Sequence, residues 1–159
     1  MAIRDIGHPS EYYSPKEHQR MKNYSNNLTR DLNEIDLDDK TRQKFYNTMI
    51  EYKSYILAAD ALSVEHNNYN VRLRELKEIY ETTPDDNKAD KALKEIQAIQ
   101  RKQILIKEKY DYFTIKFTEL ENDVRDMKEI IDTKLEEEKG YDLGVDEIPK
   151  APKKGPTRR

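Results

Sequence analysis

The chain has 159 residues, 35% of them apolar and 38% charged, with a net charge of −3. Globular domains run roughly 45–50% apolar and about 25% charged, so this balance excludes a large rounded core and fits long helices with narrow buried seams. There is no cysteine, which removes disulfides, zinc–thiolate sites and thiol nucleophiles, and no glycine between Gly7 and Gly140, which removes glycine-rich phosphate loops and nucleophile elbows.

Residues 1–13 read as an extended arm. Tyr12 and Tyr13 lie on it outside any helical stripe, a placement that suits docking on a neighbouring subunit. The arm has no apolar core run and is not read as a secretory signal, and no stretch approaches the roughly 20 apolar residues that span a bilayer. The expected location is cytoplasmic or virion-associated.

Ser14, Pro15 and Glu17 form a capping-box start. Met21, Tyr24, Leu28, Leu32 and Ile35 then follow at spacings of three and four, which predicts a first helix over about 15–33. Its four asparagines (Asn23, Asn26, Asn27 and Asn33) weaken it, so it has to dock on the rest of the chain to persist.

Asp36 or Asp38 caps a second helix over about 38–81. One seam runs Phe45, Met49, Tyr52, Ile56, Ala59, slips by one step, and resumes at Leu62, His66, Tyr69, Leu73, Leu76, Tyr80. A second row, Ile50, Leu57, Val64 and Val71, repeats every seven residues beside it. Two adjacent apolar rows on one helix call for two neighbours.

Thr83 and Pro84 restart a third helix over about 84–138. Its seam holds heptad phase through Ala89, Ile96, Gln103, Tyr110, Phe117, Val124 and Ile131, paired with Ala92, Ile99, Ile106, Phe113, Leu120 and Met127. Gly140 is the expected stop. Residues 140–159 read as a flexible basic tail. Lys150, Lys153, Lys154, Arg158 and Arg159 on it are candidate contacts for phosphate or an acidic partner, nucleic acid included.

These elements predict an all-α fold: a long antiparallel helical hairpin of coiled-coil type, residues 14–139, with a short N-terminal docking helix and flexible ends. A fold-back near Thr83 puts residues whose numbers sum to about 166 at one height. Ser63 and His66 then meet Gln103 as a polar layer that fixes register. The alternative is one continuous helix kinked at Pro84.

Chemistry is sparse. "DLDDK" and "TTPDD" lack the central glycine and closing glutamate of a calcium loop and read as helix caps. His8, His18 and His66 have no zinc-ligand spacing. The expectation is a non-enzyme with no cofactor, no metal, no small-molecule ligand and no membrane partner. A lone hairpin leaves apolar side chains uncovered, so Ile50, Leu57, Val64, Val71, Tyr112 and Ile115 join Tyr12 and Tyr13 as candidate contacts with a second copy or another protein. In a parallel pairing of third helices Lys116 faces Glu121 and Asp123 faces Lys128, both attractive, whereas Lys102 faces Lys107. Abundant Lys, Asn, Ile and Tyr with scarce Gly fit an AT-rich genome. The functional expectation is a self-associating structural or assembly protein of a bacteriophage virion or packaging apparatus. Its alternatives are a regulatory adaptor that binds a host or cellular protein through a helix face, and a nonspecific nucleic-acid binder working through the tail.

Overall fold

The computed structural model describes residues 6–147, with side chains through Glu138. Three helices follow in order: α1 (Pro15–Asn33), α2 (Asp39–Thr82) and α3 (Asp86–Glu147), preceded by a 3-10 turn at Pro9–Tyr12. Among the described residues there is no strand, and the fold is an all-α hairpin.

Each helix starts on a polar cap. Glu17 accepts from the Ser14 backbone N–H at 3.1 Å, and the Ser14 hydroxyl also donates to this carboxylate. Burial pushes the Glu17 carboxyl up, but the Ser14 hydrogen bonds and the Arg20 charge together bring it below its ordinary range. Asp38 caps α2 by accepting from the Thr41 N–H at 3.2 Å and its hydroxyl at 2.6 Å.

α3 departs from expectation at both ends. It begins at Asp86, not Pro84, because Asp85 takes the cap, accepting from the N–H groups of Asn87 at 2.9 Å and Lys88 at 3.4 Å. Thr83 instead accepts from the Asp85 N–H at 3.2 Å, a turn that holds the connector. At the other end α3 passes through Gly140 to Glu147. A glycine inside a helix costs only about 1 kcal/mol relative to alanine.

The chain breaks at Pro84 and folds back. Arg72 pairs with Glu95, Tyr69 with Lys102, His66 with Gln103, Tyr55 with Phe113 and Tyr52 with Phe117. As one number falls the other climbs, which is the signature of antiparallel neighbours. The continuous kinked helix is thereby excluded.

Contacts divide the chain into two units, Met1–Met21 with Glu51–Glu119, and Lys22–Ile50 with Leu120–Arg159. In the first, the hairpin unit, Leu73, Leu76, Ala92, Ile96 and Ile99 form one core cluster. Ile6, Ala58, Ala59, Leu62, Ile106 and Phe113 form a second, ringed by Tyr12, Tyr13, Tyr55, Tyr69, Tyr112 and Phe117. In the other unit Leu28, Leu32, Ile35, Phe45, Met49, Val124, Met127 and Ile131 are buried. Arg42 there donates to the carbonyls of Leu32 at 3.0 Å and Ile35 at 3.2 Å, which satisfies the open C-terminal end of α1 with a positive charge.

Candidate interaction surface

The described part of the N-terminal segment, residues 6–13, does not form an extended arm. Gly7 holds a left-handed φ of +84°, where an added Cβ would lie 2.5 Å from Glu11 Oε1. Beyond it His8 Nδ1 accepts from the Ser10 N–H at 3.1 Å and Glu11 accepts from the His8 N–H at 3.4 Å. This small capping box folds Pro9–Tyr12 into its turn. The sequence signal was present: a box acceptor at His8, a proline behind it and a glutamate three residues on.

That turn directs Tyr12 and Tyr13 back onto their own chain. The Tyr12 ring meets Phe113 edge-on with centroids 5.5 Å apart, its hydroxyl donates to the Ile6 carbonyl, and Lys109 Nζ lies 5.0 Å above its ring. Tyr13 donates to the Ser54 carbonyl at 3.2 Å, and burial pushes its phenol up to about 12. The two residues named as contacts for a neighbouring subunit are therefore committed within the hairpin unit.

The second apolar row of α2 splits. Tyr13 reaches Ser54, and Arg20 reaches Asp60 at 3.4 Å. These anchors lie three residues on either side of Leu57, and Leu57 is 0% exposed. As a contact for another chain Leu57 is corrected: it is core. Ile50 is half-buried. Val64 and Val71, next on the same row, stand 56% and 47% exposed.

On α3, Tyr112 is half-buried, edge-on to Phe113 at 5.5 Å and beneath Lys116 Nζ at 5.4 Å. Ile115 is 57% exposed. Sequence reasoning missed Ile104 and Leu105, which are also exposed. The run Ile104–Leu105–Ile106 carried the signal, since a narrow seam uses one of three consecutive positions and Ile106 takes it.

The polar layer is built differently from its expected form. Gln103 Nε2 donates to the Asn70 side chain at 2.7 Å and to the His66 backbone carbonyl at 3.3 Å. His66 and Ser63 instead line a crevice of about 300 Å³ together with Leu62, Asn67, Ile106, Lys107 and Tyr110.

Among the described residues no cluster of three or more His, Asp or Glu could hold a metal ion, and no helix is long and apolar enough to cross a membrane. Lys150, Lys153, Lys154, Arg158 and Arg159 lie outside the described residues. The chain matches no family model, no curated protein and no solved structure.

Proposed function

We propose that this chain is a non-enzymatic structural or assembly protein that works by associating with copies of itself, of the kind a phage particle or its packaging apparatus employs. The observation that carries the reading is the row Leu57, Val64, Val71. One member is sealed inside the hairpin unit, and the next two present the same chemistry to solvent. Burying apolar area is worth about 25 cal/mol per Å², so an exposed continuation of a core row favours a second chain.

Light scattering over a dilution series tests this. The expected result is a mass above the monomer that falls on dilution, with V64E/V71E shifted toward monomer at unchanged helix content. A monomer at every concentration overturns the proposal.

A further inference from the structure

α3 is charge-segregated. Between residues 91 and 116 it carries seven basic and three acidic side chains, net +4; between 119 and 138 it carries nine acidic and three basic, net −6. Local pairing leaves most of this charge uncompensated. In the first stretch Glu95 is taken by Arg72 and Asp111 by Lys107, so two of its three acids are already engaged. In the second, among the described residues, the ion pair is Arg125–Glu121 at 3.9 Å. All nine acids there are exposed.

The segregation is sharpest at the heptad position furthest from the seam. Every seventh residue from Lys94 reads Lys94, Arg101, Glu108, Ile115, Asn122, Glu129, Glu136. All seven are exposed, Ile115 by 57%. The column is complementary to its own reverse about Ile115. An antiparallel copy sets Lys94 against Glu136, Arg101 against Glu129, Glu108 against Asn122 and Ile115 against itself. An in-register parallel copy sets +4 against +4 and −6 against −6, which outweighs the two attractive pairs expected of that arrangement.

We infer that α3 pairs antiparallel with α3 of a second copy along this column, with the two-fold axis at Ile115. The inference rests on the self-association reading and adds to the α2 row Val64 and Val71 a second contact, on α3. A two-fold contact places the same patch on both partners, and this column meets that requirement residue by residue. Ile115 is the apolar centre, and the two charged ends, each made twice by symmetry, fix register. A polyanion suits the surface poorly, because the same helix carries the −6 stretch and the chain is net negative.

Sedimentation velocity on the full chain reads the result, with K94E/R101E, E129K/E136K and the fourfold charge swap compared at low and high salt. At low salt each double variant is expected to weaken self-association about tenfold or more, because attraction becomes repulsion at both symmetric ends. The fourfold swap restores the pairing, and a mixture of the two double variants forms the heteropair. Salt weakens the wild type because these charges face solvent. Restoration by the swap also separates a contact from a folding defect.

Association that ignores salt and both double variants overturns the antiparallel pairing and leaves self-association standing. A monomer at every concentration overturns both. Single-stranded oligonucleotide binding that K94E/R101E abolishes, without restored self-association in the swap, assigns the basic stretch to nucleic acid and overturns the inference.

Discussion

Leu57 and Val71 belong to one heptad row of one helix, and the structure gives them opposite fates. Leu57 is fully buried and Val71 is 47% exposed. The helix does not distinguish them. The tertiary surroundings do: Tyr13 and Arg20 are anchored at Ser54 and Asp60, one on either side of Leu57. An apolar row therefore states that something must cover it, and the rest of the chain decides how much is covered at home.

The largest expected effect is on the covered side. Leu57→Ala should cost about 2–5 kcal/mol of unfolding free energy, the range for deleting a fully buried leucine side chain, whereas Val71→Ala should stay within about 0.5 kcal/mol in the monomer. Chemical denaturation of both variants measures the contrast, and equal costs would break it.

Next comes the turn that aims the covering segment. Gly7→Ala forces an L side chain into a left-handed φ and against Glu11, and should cost about 1–2 kcal/mol. Hydrogen exchange should show the loss concentrated around Ser54–Leu57, with the Val71 region unchanged.

A smaller effect follows from pH. Burial raises the phenol of Tyr13 to about 12, and burial with the neighbouring Glu51 raises that of Tyr55 to about 12. Both exceed the ordinary value near 10, so the folded state holds protons that the unfolded state releases. Their contribution is full below pH 10 and is lost as pH climbs from 10 toward 12. Absorbance titration should resolve two late-ionising tyrosines, and Tyr13→Phe should remove one of them.

The smallest expected effect lies at the polar layer. Gln103→Leu removes the bonds to Asn70 and His66, yet both groups are only half-buried and can turn to water, so stability should change by under about 1 kcal/mol. A register role would appear instead as broadened resonances along the hairpin seam.

Much of this architecture was legible in the residues. Ser14 with Glu17, and Asp38 with Thr41, are caps that act within one turn. The α3 seam holds its phase from Ala89 to Ile131, and burial follows it with the sole exposed seam residue at Tyr110. The candidate surface was less legible. Val64 and Ile115 are exposed; Leu57, Tyr12 and Tyr13 are spent inside the hairpin unit; Ile104 and Leu105 were overlooked.

Periodicity and most of the capping chemistry are local properties, carried by spacings of three, four and seven, and the sequence by itself determined them; the break at Pro84 it left open against a continuous kinked helix. Which apolar side chain ends in core and which on the surface depends on where a distant segment comes to rest. Only the tertiary structure decided that Tyr12 turns home onto Phe113 and that Leu57, between the anchors of Tyr13 and Arg20, is core. The physical reason is that burial depends on contact between segments remote in sequence, and spacing along one helix carries no record of its neighbour's reach.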